Sequence, residues 1–221
     1  PDKTFLHKLS ACFLLCSIFL SACNWFVIPR KYPANKPFVF KNSIDVKGGN
    51  FSKDERATLK QRLNAQLDDS SRINTKDSWI ILHYIERPPA YDSASAGRSA
   101  RNMEASMWHL GYYRSRAEYK ADTTVKGEQQ RVHIQYSVET GKPTLIDTFM
   151  YILRKPELQQ LALENAKESF IRNGNPVTKA AVLAELNRVV NMYRDTGYYK
   201  FSSEEVIMRG DITVAALTTI T

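Results

Sequence analysis

Hydrophobic and polar positions along the chain follow two periods, and the order of those periods repeats. Phe38 to Lys47 (FVFKNSIDVK) reads as a strand that stops at Gly48-Gly49. Ser52-Lys53-Asp54-Glu55 then has the S-x-x-E form of a capping box, in which the serine and glutamate side chains satisfy free N–H groups at a helix start. Leu59, Leu63 and Leu67 recur every fourth position and predict one buried stripe on a helix of about four turns. Asn74 to Arg98 is irregular, except that Trp79 to Ile85 (WIILHYI) is an apolar run with the character of an extra strand. Ser99 is placed to cap the next helix, with Met103, Met107 and Leu110 inward and Gly111 as its left-handed terminator.

Period two returns after that glycine. Arg114 to Val125 reads as a strand whose Arg114, Arg116, Glu118, Lys120 and Asp122 alternate with Ser115, Ala117, Tyr119 and Ala121, so that one side is charged, as on edge strands. Lys126-Gly127 turns the chain. Val132, Ile134, Tyr136 and Val138 then alternate with polar residues over Arg131 to Thr140, the pattern of a sheet covered on one face only.

The same order begins again after Gly141-Lys142-Pro143. Thr144 to Leu153 reads as a strand, and Pro156 sits at a first helical position with Leu158, Leu161, Ala162 and Phe170 inward. Thr178 caps a long helix with Val182, Leu186, Val189, Val190 and Tyr193 inward, ending at Gly197. Phe201 to Ile212 and Thr213 to Thr221 supply two further strands. The junction is the clearest repeat: Leu110-Gly111-Tyr112-Tyr113-Arg114 against Thr196-Gly197-Tyr198-Tyr199-Lys200. The expected fold is α+β, two tandem β-α-α-β-β domains, each a three-stranded mixed sheet with two helices on one face. The expected boundaries are 38–142 for the first, with an insertion at about 74–98, and 143–221 for the second.

The N-terminus adds a compartment. Lys3, His7 and Lys8 precede the apolar run Leu9 to Leu20, which has the form of a secretory signal and is shorter than the ~20 residues of a membrane-spanning helix. The run ends in Leu20-Ser21-Ala22-Cys23, a string that resembles a bacterial lipobox. The same letters at Leu9 to Cys12 come too early, with almost no apolar stretch before them. On this reading 1–22 is removed, Cys23 carries a lipid, 23–37 is a proline-containing tether, and Cys12 and Cys16 leave with the signal. The alternative is a conventional cleavage site near an unmodified Cys23. Because the chain opens at Pro1 and stops within a strand-like pattern, it is expected to be part of a longer protein.

The formal charge is +8, which suits an anionic neighbour, but the charged residues are spread rather than blocked and also fit an ordinary solvated surface. His83, His109 and His133 have no metal-ligand spacing, and neither Glu204-Glu205 nor Asp68-Asp69 makes an acid/base pair. No nucleophile motif or phosphate loop occurs, and no G-x-x-G of the RNA-clamping type, so the chain reads as a non-enzyme without nucleic acid. No cofactor is expected beyond the lipid on Cys23.

Taken together, Leu110 to Tyr113, Val132 to Gly141, Leu145-Ile146-Asp147 and Tyr193 to Tyr199 resemble the POTRA domains of the BamA/TamA superfamily of outer-membrane assembly proteins, in a lipoprotein, TamA-like form without the barrel. The resemblance implies that the third strand of each module is central and the first two are edges. It implies a periplasm-facing location at the outer membrane and unfolded outer-membrane protein clients. It also implies a possible periplasmic or inner-membrane partner subunit and a C-terminal barrel outside this chain. Clients would add a strand at the edges carrying Arg114, Arg116, Ala117, Tyr119 and Lys120 in the first module and Phe201, Glu204 and Val206 in the second. Other readings are a structural arm that docks a partner subunit, and an envelope lipoprotein that binds an anionic surface. The Tyr-Tyr pairs read as packing at the helix–strand corner; the sharper alternative gives Tyr112 and Tyr198 to a partner groove.

Overall fold

The computed structural model describes residues 26–68, 75–78, 82–208 and 219–220. In chain order the elements are β1 (Phe26–Arg30), β2 (Phe38–Lys47), α1 (Lys53–Asn64), β3 (Thr75–Ser78), β4 (Leu82–Glu86), α2 (Ser93–Trp108), β5 (Arg116–Lys126), β6 (Gln129–Glu139), β7 (Leu145–Ile146), α3 (Pro156–Glu164), α4 (Lys179–Asp195) and β8 (Thr219–Ile220). Single 3-10 turns lie at Ala166–Glu168 and Ser203–Glu205. The fold is α+β. The chain divides into two compact units, the first of Pro1–Asn42, Asp69–Asp92 and Ala121–Ile134, the second of Ser43–Asp68, Ser93–Lys120 and Gln135–Thr221.

Five elements form the order strand–helix–helix–strand–strand: β2, α1, α2, β5, β6. Their sheet runs β2-β6-β5, with the third strand in the centre. The Thr140 N–H donates to the Lys47 carbonyl at 3.1 Å, so β2 and β6 end side by side and run parallel. β5 and β6 are joined by a hairpin whose Gly127 has φ +61°, the first central position of a II′ turn. Val132, Ile134, Tyr136 and Val138 are all buried, as their alternation requires. The capping box forms: Ser52 Oγ accepts the Glu55 N–H at 3.2 Å, and the Glu55 carboxylate accepts the Ser52 N–H at 2.8 Å. The Glu55 carboxyl is held below its ordinary value by that backbone bond and the Ser52 hydroxyl.

Four sequence expectations change. Residues 26–30, read as part of a tether, form β1, which pairs in parallel with β4 in a sheet ordered β1-β4-β3. Pro29 is tolerated because β1 is an edge strand, and its partner β4 lies more than fifty residues away, where no local period reveals it. Arg30 lies 3.8 Å over the Tyr84 ring, and Lys31 pairs with Glu86 at 3.0 Å. α2 starts at Ser93 rather than Ser99. Ser99 is an interior residue whose hydroxyl donates to the Ser95 carbonyl and accepts the Asp68 N–H.

The strand expected over Thr144 to Leu153 is limited to Leu145–Ile146. Downstream, the Gln159 side chain donates to the Tyr151 carbonyl at 2.7 Å and accepts the Leu153 N–H at 2.8 Å. That satisfies backbone groups a neighbouring strand would otherwise take. α3 and α4 begin as expected, with Pro156 at the start and Thr178 Oγ1 accepting the Ala181 N–H. Phe170, expected inward, is mainly exposed, and Ile171 is buried in its place.

Candidate functional site

The two glycine junctions are the same structure. In the first, Gly111 N–H donates to Trp108 O, Tyr112 N–H to Met107 O and Ser115 N–H to Tyr112 O. In the second, Gly197 N–H donates to Arg194 O, Tyr198 N–H to Tyr193 O and Phe201 N–H to Tyr198 O. Each bond recurs 86 residues later. The two bonds around each glycine are those of a Schellman motif, with glycine left-handed at φ +91° and +100°.

Their tyrosines do different things. Tyr112 packs tilted against Phe51 with ring centres 5.6 Å apart, and Tyr113 Oη donates to the Val177 carbonyl at 3.2 Å. Burial raises the pKa of both, helped at Tyr112 by the charge of Glu55. Tyr198 meets Tyr193 edge-on, whereas Tyr199 is 75% exposed. Around Gly111 further bonds run from Thr144 N–H to Gly111 O, Val177 N–H to Thr144 O and Lys179 N–H to His109 O. The first junction is therefore a seat for the Thr144 and Pro176–Lys179 segments.

β5 leaves that junction as an edge strand. Counted back from the hairpin turn, the antiparallel alternation puts Ala117 and Tyr119 in pairs whose N–H groups point away from β6. Tyr119 lies over Tyr136, with ring centres 6.2 Å apart, and its hydroxyl donates to the Ser93 carbonyl at 3.2 Å. Arg116, Glu118, Lys120 and Asp122 are exposed. Arg114 lies in the turn just before the strand. The structure thus brings Arg114, Arg116, Ala117, Tyr119 and Lys120 onto one continuous stretch.

The second set of site residues is arranged differently. Phe201 packs on Tyr193 at 4.6 Å, its carbonyl accepts from Arg194 Nε at 2.8 Å, and Glu204 lies in the 3-10 turn Ser203–Glu205, with Val206 just after it. These three residues form no strand. The Ser202-Ser203-Glu204-Glu205 sequence favours a helical start over a strand, since serine and adjacent carboxylates suit the free N–H groups of a first turn. Cys23 lies outside the described residues.

Two features escaped the sequence reading. Glu185 is fully buried in α4 and accepts from Tyr151 Oη, Arg188 and the Phe170 N–H, the Arg188 bond at 2.7 Å. Burial pushes its carboxyl up, but those donors together outweigh burial and hold it below the ordinary range. The signal available was a lone Glu on the apolar stripe, three residues from an Arg. The other feature is a cleft of ≈470 Å³ lined by Glu104, Arg114, Ser115, Arg116, Ala117 and Glu118, at the start of β5.

Among the described residues no helix is long and apolar enough to cross a membrane, and no group of three His, Cys, Asp or Glu side chains could hold a metal ion. No family model and no curated protein matches the chain. Among solved structures it is similar to POTRA1-2 of the periplasmic domain of Omp85 from Anabaena, at 8% identity over 85% of this chain and 95% of that one, with a TM-score of 0.31. A likeness of that size carries no argument; the strand order β2-β6-β5 is what matches the arrangement the sequence resemblance implied.

Proposed function

We propose that this chain is a binding module, not an enzyme, of a machine that assembles or translocates outer-membrane proteins. It comprises two tandem modules, 38–142 and 143–221, facing the periplasm and tied to the outer membrane by a lipid on Cys23. Its first module holds unfolded client chains by strand addition at β5. The observation that carries this reading is the edge itself: β5 lies at one side of the β2-β6-β5 sheet, and its alternating geometry turns the Ala117 and Tyr119 N–H groups outward. Charged neighbours on the exposed face deter self-association while leaving the backbone available.

The test is photo-crosslinking of an unfolded outer-membrane β-barrel chain to Ala117→Pro/Tyr119→Pro. Proline deletes the two outward donors and leaves the ladder to β6 intact. Crosslinks along β5 should disappear; crosslinks that persist unchanged would rule out edge pairing.

A second reading, a rigid arm that docks a partner subunit, draws support from the bonds that seat Thr144 and Val177 against the Gly111 junction. It differs in predicting stable, stoichiometric capture of one protein rather than transient contact with many clients.

A further inference from the structure

Half of the formal charge of +8 lies between Cys23 and Asp45, where Arg30, Lys31, Lys36 and Lys41 occur without a single Asp or Glu. β1 sits inside that stretch and belongs to the first compact unit together with β3 and β4.

The fold gathers these charges at one end of the β1-β4-β3 sheet. Arg30 stands opposite Glu86 in the β1–β4 register, and the Arg87 N–H donates to the Arg30 carbonyl at 2.9 Å. Lys31 Nζ lies 3.0 Å from the Glu86 carboxylate. Lys36 follows in the loop to β2, where Tyr32 stacks on Phe38 with ring centres 5.2 Å apart. Arg30, Lys31, Lys36 and Arg87 are all exposed. The corner therefore carries four basic groups around one carboxylate, and an exposed ion pair such as Lys31–Glu86 is weak enough to exchange for another anion.

Two of those basic residues are held at a cost. Lys31 and Arg87 each have φ +52°, the left-handed conformation that glycine adopts freely and a side chain disfavours. A basic residue kept at such a position calls for a reason in its charge. The adjoining sheet face has matching chemistry. Along β1 the side chains alternate, so that Pro29 is buried while Ile28, 41% exposed, and Arg30 share the other face. Ile28 pairs in register with Tyr84, and the Arg30 guanidinium lies 3.8 Å over the Tyr84 ring. An aliphatic group, a tyrosine and a guanidinium side by side suit the layer where lipid headgroups meet acyl chains.

We propose that the Arg30, Lys31, Lys36 and Arg87 corner rests on an anionic phospholipid surface, with Ile28 and Tyr84 at the headgroup boundary, so that the first unit is held in one orientation on the membrane. The choice of lipid as the anionic partner rests on the anchor reading, because an acyl chain on Cys23 brings that surface within reach of β1. Such a patch is too weak to retain the chain alone; it acts as the second membrane signal beside the acyl anchor.

The test uses the chain purified from membranes and reconstituted into vesicles of phosphatidylcholine, alone or with a third of it replaced by phosphatidylglycerol. Lysines are labelled with an amine-reactive reagent and read by mass spectrometry. Lys31 and Lys36 should react at least about fivefold more slowly on the phosphatidylglycerol vesicles, the worth of one basic residue at an anionic surface. Molar salt or Arg30→Gln/Arg87→Gln should remove that protection, and Lys155 and Lys167 of the second unit should label alike on both vesicles. Equal labelling of Lys31 and Lys36 on the two vesicles, protection that survives salt, or equal protection of Lys155 and Lys167 would overturn the assignment. The mass of the Cys23 peptide from the same samples tests the anchor separately. Acylated Cys23 with no protection leaves the anchor and removes the lipid contact, whereas protection with unmodified Cys23 leaves the contact and removes the anchor.

Discussion

Ser99 and Glu185 occupy equivalent turns of α2 and α4, 86 residues apart, and each receives a backbone N–H from the segment that leaves the preceding helix. The Asp68 N–H donates to Ser99 Oγ at 2.9 Å, and the Phe170 N–H donates to the Glu185 carboxylate at 2.8 Å. Both acceptors are buried. In each helix pair one polar side chain on an apolar helix face closes the loop between the two helices.

Their truncations should differ in size. Ser99→Ala removes the acceptor of the part-buried Asp68 N–H and should cost about 0.5–1.5 kcal/mol, the net worth of one hydrogen bond. Glu185→Ala also strands Arg188, which is bound to Glu185 through both Nε and an Nη atom. Losing one partner of a buried ion pair should cost about 3–5 kcal/mol. Urea unfolding at neutral pH measures both, and equal losses would contradict this account of Glu185.

The same carboxyl sets an acid limit. Burial alone would raise the Glu185 pKa, but Arg188, Tyr151 and the Phe170 N–H bring it below the ordinary 4.5. A depressed folded-state value means that the stabilisation is complete above about pH 4.5 and is lost as the pH falls through the lower folded value. Stability measured from pH 7 downward should therefore fall more steeply in the parent chain than in Glu185→Gln, which has no carboxylate to protonate.

Gly111 and Gly197 look alike in sequence and should respond differently to alanine. Both have positive φ, so each substitution meets the left-handed penalty of about 1–2 kcal/mol. A Cβ on Gly111 would in addition sit 3.1 Å from the Val177 carbonyl oxygen and 3.3 Å from Pro176 Cβ, whereas one on Gly197 meets nothing within 4 Å. Gly111→Ala should lower the melting temperature further than Gly197→Ala.

Much of this was legible in the sequence where the signal was local. The capping box at Ser52 and Glu55, the bounds of β2 and the buried alternation Val132 to Val138 all formed as their spacing required. The Gly-Tyr-Tyr repeat announced identical backbone turns. Pairings set by distant partners were not legible. β1 exists because β4 lies beside it, and the strand expected through Leu153 is short because the Gln159 side chain takes its backbone groups. The charged and apolar alternation of Arg116 to Lys120 was legible locally, whereas the place of that strand at a sheet edge was what the resemblance implied.

β1 begins at Phe26, three residues after Cys23, which is a reach of ~10 Å even when fully extended. If Cys23 is acylated as we propose, the first sheet is held close to the lipid surface rather than on a long tether. Cys23→Ser should release the protein from the membrane fraction, and a flexible insertion after Cys23 should not. Membrane retention of the Cys23→Ser variant would refute the anchor.

The most direct test of the central claim is amide hydrogen exchange along β5 as an unfolded outer-membrane β-barrel chain is added. The account predicts slowed exchange at the Ala117 and Tyr119 N–H groups, which point away from β6, with little change at the β6 amides already in the ladder. Unchanged exchange at Ala117 and Tyr119 while the client is bound would contradict strand addition at this edge.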